Sequence, residues 1–138
     1  MKRREFGVGI CAGLLALPSL ALADAWPSRP IKLLVPFAAG SSPDNVMRVF
    51  AHELGQVIHQ SVVIENRPGA NGITGTIAAL GAPKDGSSML FANVGTLAIN
   101  PSLFPKQKYE PLRDLTLLGV TSSAANILVA RPNLEANN

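Results

Sequence analysis

The chain has 138 residues, 47% of them hydrophobic but only 5% aromatic and 15% charged, enough for one modest domain with its own core. Its formal charge of +3 is concentrated at the extreme N-terminus; from Asp24 onward nine basic residues face eight acidic ones. The remaining basic residues are scattered and no run of stacking aromatics accompanies them, which excludes a nucleic-acid-binding surface.

Lys2-Arg3-Arg4 precedes an apolar stretch, Phe6–Leu20, broken by Gly7, Gly9, Gly13 and Pro18 and followed by the small-x-small sequence Ala21-Leu22-Ala23. This is the pattern of a cleaved secretory signal peptide over residues 1–23, and the apolar run is short for a membrane span, which needs about 20 residues. Arg3-Arg4 also fits a loose twin-arginine pattern, so the export route stays open. Cys11, the single cysteine, lies inside this segment, so residues 24–138 hold no disulfide and no thiolate chemistry, and a periplasmic or extracellular location is expected.

The first predicted strand is the apolar block Ile31–Phe37. A small, hydroxylated, glycine-containing turn follows, with Ser42 as candidate helix cap, Pro43 at the first helical position and Asp44 near the positive end of the helix dipole. Such a turn presents free backbone N–H groups beyond the strand end, an arrangement suited to an anion. The helix is expected to run to Ile58, with Val46, Phe50, Leu54 and Ile58 as its buried stripe, widened by Met47 and Val57. His52 and His59 are seven residues apart, whereas a zincin pair needs four, so both read as solvated surface histidines and no metal is expected.

Ser61–Asn66 reads as a second strand, Arg67–Gly72 as a turn and Ile73–Leu80 as a short helix. Gly69, Gly72 and Gly75 have G-x-x-G-x-x-G spacing rather than the dinucleotide fingerprint, and no Walker lysine is present, so no nucleotide cofactor is expected. These glycines read instead as allowing close helix–strand packing. Ser88–Ala92 is a third strand, followed by another small polar turn, Asn93–Pro101; Leu115–Thr121 and Asn126–Arg131 read as a fourth and a fifth strand, and Pro132–Asn138 as the lead-in to a helix. Strand–helix–strand–helix–strand order predicts an α/β fold with a parallel sheet, whose ligand belongs outside the carboxyl ends of the strands. The turns after the first and third strands open on that edge, where Ser41, Ser42, Asn93, Thr96 and Asn100 are placed to converge with backbone N–H groups on one small acid. Asp44 has two readings, a ligand contact or a helix N-terminal residue. No nucleophile with its base is encoded, and an enzyme is not expected.

Several stretches in order, Trp26–Ile31, Val35–Gly40, Asp44, Val63–Ala70, Pro83 with Asp85-Gly86, and Gly95–Pro101, resemble the substrate-binding proteins of tripartite tricarboxylate transporters, the Bug family of periplasmic receptors. The resemblance runs from Trp26 to about Leu134 and implies a periplasmic-binding-protein-like Venus flytrap, closing as a monomer over a small organic carboxylate and delivering it to membrane permease subunits. It implies ligand-binding roles for Phe37, Ala38, Ala39, Gly40, Ser41, Ser42 and Asp44 in one turn and for Asn93, Val94, Gly95, Thr96 and Asn100 in the other. Ser41 and Ser42 stand where many members carry glycines, and Leu97 where relatives often carry a polar side chain. Members are roughly twice as long, so residues 24–138 are expected to form an incomplete first domain. A receptor signalling to a membrane sensor kinase, or a non-functional truncated product, are the alternatives on the same scaffold.

Overall fold

A computed structural model of the chain describes residues 26–125 and 127–131. The predicted signal peptide and the final helix lead-in lie outside the described residues. Strand β1 (Ile31–Val35) leads into helix α1 (Ser42–Ile58); β2 (Val62–Asn66) is followed by a 3₁₀ turn at Ala70–Gly72, helix α2 (Ile73–Leu80) and β3 (Ser88–Leu90). A π-helical turn (Gly95–Ile99) then runs into the short helices α3 (Asn100–Leu103) and α4 (Pro111–Asp114).

The sheet has the order β2-β1-β3 and both pairings are parallel, with Leu33 opposite Ile64 on one side and Met89 on the other. The central position of β1 explains its composition: Ile31, Leu33, Leu34 and Val35 are all buried, as a strand covered on both faces requires. Lys32 alone points outward, paired with Glu65 of β2 at 2.7 Å. Leu33 and Val35 pack with Met47 and Ala51 of α1, and Phe37, Phe50, Val62, Ile64, Met89 and Phe91 close around them. Phe37 and Phe91 meet edge to face with centroids 6.1 Å apart, joining the end of β1 to the residue that follows β3.

The expected α/β architecture with a parallel sheet is therefore present, and α2 has the predicted bounds. Four local expectations are corrected. The buried stripe of α1 is Asp44, Met47 and Ala51, with Phe50, Leu54 and Ile58 half-buried; Val46 and Val57 are exposed. The helix carries apolar residues on two adjoining faces, and the face toward the sheet is the one that holds Met47 and Ala51 against Leu33 and Val35 and Asp44 against Asn66. The helix cap is Ser41 rather than Ser42: the left-handed Gly40 (φ 78°) delivers Ser41 in the extended conformation a cap needs, and Ser42 begins the helix. Residues 115–121 and 127–131 are not strands; they run irregularly with Leu117, Leu118, Val120, Ile127, Leu128 and Val129 exposed, because no described strand offers them a hydrogen-bonding partner. The first and third strands end earlier than read, at Val35 and Leu90.

Gly75 shows why α2 sits so close to the strand ends. A Cβ there would lie 2.7 Å from both the Arg67 carbonyl oxygen and Pro36 Cβ. Any larger residue would push α2 off the turn that follows β1.

Candidate functional site

Three turns emerge at the carboxyl edge of the sheet. The first links β1 to α1. Pro36 is buried and Phe37 half-buried, while Ala38, Ala39 and Gly40 are exposed. The Ser41 N–H donates to the Ala38 carbonyl at 3.2 Å, closing the turn. The Ser41 hydroxyl makes no capping bond; its oxygen is buried without a partner. Ser42, by contrast, is exposed on the helix surface.

Asp44 is completely buried, and its carboxylate is engaged on both oxygens. Oδ2 accepts from the Gly40 N–H at 2.8 Å and from Arg48 Nε at 2.9 Å, and Oδ1 accepts from Asn66 Nδ2 at 2.8 Å. Asn66 Nδ2 also donates to the Phe37 carbonyl at 3.1 Å. The Asn66 amide, then the Gly40 N–H and Arg48, pull the Asp44 carboxyl down to about 2, outweighing the opposing effect of burial. A carboxylate so committed fixes the turn rather than facing solvent.

The second turn follows β3. Asn93 and Thr96 bond reciprocally: the Asn93 N–H donates to Thr96 Oγ1 at 3.0 Å, and the Thr96 N–H donates to Asn93 Oδ1 at 3.1 Å. Thr96 is buried, and its carbonyl accepts from the buried Tyr109 hydroxyl at 2.8 Å. Val94 is exposed and Gly95 half-buried. Asn100 is fully buried and faces neither solvent nor the first turn. Its Nδ2 donates to the Asn71 carbonyl at 2.9 Å and its Oδ1 accepts from Asn71 Nδ2 at 2.7 Å.

The third turn, after β2, fills the space between the other two. A Cβ on Gly72 would lie 2.6 Å from Thr96 Cγ2 and 3.5 Å from Pro36 Cβ. The structure thus sets the two predicted turns on either side of Gly72. Their side chains do not all point to one place: Asp44, Thr96 and Asn100 are spent inside the fold, Ser42 faces outward, and the Ser41 hydroxyl remains free. Sequence reasoning missed Asn66, Asn71 and Tyr109. Their only signal was a polar residue at a strand end, a turn asparagine among glycines and a lone tyrosine.

Other concave regions are remote from these turns. A wide groove of about 580 Å³ lies at the amino edge of the sheet, bordered by His52, Gln56 and His59 of α1 and by Gln60 and Val62. Both histidines are exposed, and no group of three or more potential metal-ligating side chains occurs among the described residues. A smaller hollow of about 100 Å³ lies between Trp26–Arg29 and Asp85–Ser87. There the Ser87 hydroxyl and N–H, with Arg29, hold the Asp85 carboxyl at about 2.

A family model described as "Tripartite tricarboxylate transporter family receptor" matches residues 46–138. Protein BugT of Bordetella pertussis is 35% identical over 129 residues, which cover 93% of this chain and 40% of BugT. Among solved structures, MatC of Rhodopseudomonas palustris with bound malate superposes with a TM-score of 0.60 at 34% identity, over 62% of this chain and 29% of MatC. A second R. palustris protein, solved with adipate, superposes with a TM-score of 0.60 at 32% identity, over 63% of this chain and 29% of its own. The chain thus spans less than half the length of these relatives.

Proposed function

The chain belongs to the tripartite tricarboxylate transporter receptor family, and on that premise we propose that it is part of a periplasmic receptor whose carboxyl-edge turns bind one carboxylate of a small organic acid. The observation that carries this reading is the Ser41 hydroxyl, buried and unpartnered at the N-terminus of the 17-residue helix α1. Buried polar atoms are nearly always hydrogen-bonded, so one left open beside an exposed turn favours a ligand oxygen as its partner. The Ser42 and Asp44 amides of the first turn of α1 lack intrahelical acceptors and lie at the positive end of the helix dipole, whereas Pro43 has no N–H and the Asn45 N–H bonds the Ser41 carbonyl. Ala38, Ala39 and Gly40 are exposed at the same place, the Gly40 N–H being held by Asp44, and Asn93, Val94, Gly95 and Thr96 supply the other wall in this reading.

Asp44 does not repel such an anion strongly, because Arg48 and two other donors neutralise it. In this reading Asp44 and Asn100 belong to the site as its frame, and Ser42 as part of its outer surface. Malate in MatC and adipate in its R. palustris relative indicate the ligand class, a short aliphatic diacid. The receptor acts as a monomer and hands its cargo to the membrane subunits of a tripartite permease. Residues 1–23 direct export, and residues 24–138 form part of the first domain. In this reading the turns bind a ligand and do not act on it.

Amide-resolved NMR titration of the exported chain with malate, adipate and the neutral diamide of malate tests the proposal. Saturable shifts at Gly40, Ser41, Gly95 and Thr96 with the diacids, absent with the diamide, are expected. Equal shifts with the diamide, or none with either acid, overturn it.

A further inference from the structure

Four consecutive residues at the carboxyl edge have positive φ: Gly69 (133°), Ala70 (45°), Asn71 (52°) and Gly72 (88°). Two of them are not glycine, and an L-residue in this region is strained. Such a segment persists only where its surroundings over-determine it. Asn100 does so here, because its buried amide spends both ends on Asn71, one on the backbone carbonyl and one on the side chain. The same turn presses on the π-helical turn, with Gly72 against Thr96 and the Asn71 amide beside Gly95. Asn71 itself is exposed at the rim, although its partner is fully buried.

We propose that Asn71 is a positioning residue of the carboxylate site: through its paired hydrogen bonds with Asn100 it clasps the turn after β2 to the turn after β3 and so holds the π-helical turn, with its Thr96 N–H on Asn93, in the place where the Gly95 amide meets a ligand oxygen. The inference rests on the carboxylate-receptor reading for its functional consequence, but the clasp itself has a ligand-free readout. Asn100 sits on α3, which continues the π-helical turn without a break, so a shift of Asn100 is carried directly into residues 95–99. No other side-chain hydrogen bond among the described residues joins the turn after β2 to the turn after β3.

The test uses the exported chain with Asn71→Gly, which tolerates positive φ and deletes the side-chain donor, and with Asn71→Asp, which keeps the size but replaces the donor by an acceptor. Ligand-free amide exchange at Gly95 and Thr96 is expected to quicken about tenfold in both variants, and affinity for malate to fall about tenfold, the worth of one good hydrogen bond. Exchange at Leu33 and Val35 in β1 stays at the wild-type rate, which separates a positioning role from general loosening of the fold. Asn100→Ala gives the same changes, and adding Asn71→Gly to it gives no more. Wild-type exchange at Gly95 and Thr96 in Asn71→Gly, or equal acceleration at Leu33 and Val35, overturns the clasp. If the wild-type chain binds neither malate nor adipate, the receptor reading falls, and the exchange rates alone still decide the role of Asn71.

Discussion

The Asn66 carboxamide ties together both ends of the first turn: a single Nδ2 donates to the Asp44 carboxylate at 2.8 Å and to the Phe37 carbonyl at 3.1 Å. Asp44 in turn holds the apex of that turn through the Gly40 N–H. The turn is therefore a closed frame built on one buried carboxylate. Asp44→Ala is expected to lower Tm by about 5–10 °C, because it leaves the Gly40 N–H without its acceptor and takes from the Asn66 amide the shorter of its two bonds. Carboxylate affinity should fall with it, since the frame and the site are the same residues. Thermal melts and calorimetry on the same samples check both; loss of affinity at an unchanged Tm would instead make Asp44 a direct ligand contact.

The same carboxylate makes stability sensitive to acid. Its folded pKa is depressed from 3.8 to about 2 by Asn66, Gly40 and Arg48. A depressed carboxyl contributes stability above its unfolded pKa and loses it as pH falls through the folded value. The urea midpoint should therefore fall between about pH 4 and pH 2, and Asp44→Asn should flatten that slope. Asp85, also held at about 2, adds to the slope and remains in the variant. An Asp44→Asn profile parallel to wild type would remove Asp44 from the account.

Ser41→Ala separates binding from folding. It deletes a buried hydroxyl that has no partner, so Tm should hold or rise slightly. Affinity for malate should drop about tenfold, the loss of one hydrogen bond to a charged group. Calorimetric titration checks the second expectation, and unchanged affinity would take Ser41 out of the site.

Gly75→Ala places a methyl 2.7 Å from two groups that cannot easily yield, a backbone carbonyl and a proline ring. We expect about 2 kcal/mol of destabilisation from this overpacking. Gly81→Ala is the control, because its nearest neighbour would stand at an ordinary 3.6 Å. Denaturant unfolding of the two variants compares them, and equal stability would mean that α2 shifts freely.

The parts legible in the sequence were those with a local cause. The buried run of β1, the turn after it and the bounds of α2 follow from short-range pattern and turn chemistry. The buried face of α1 differs from the expected stripe because Val46, Met47, Val49 and Phe50 offer two apolar faces, and the choice between them involves partners distant in sequence, the Asn66 bond to Asp44 and the packing of Met47 and Ala51 on Leu33 and Val35. Leu115–Thr121 carries strand-like composition, but a strand also needs a neighbour, which composition does not report. The site divides in the same way. Ser41 and the backbone of residues 38–40 were visible as turn chemistry, whereas Asn66 and Asn71 act on partners 22 and 29 residues away, where no periodicity points.

The left-handed run at Gly69–Gly72 carries a stereochemical consequence. Ala70 occupies a region that a D-amino acid prefers for the same steric reason that an L-amino acid avoids it. In a chain assembled by chemical ligation, D-alanine at position 70 would relieve the strain, whereas the same replacement at Ala51, inside the right-handed helix α1, would introduce it. Opposite responses of these two alanines to inversion of one chiral centre would mark this turn as a place where the fold works against the handedness of its own building blocks.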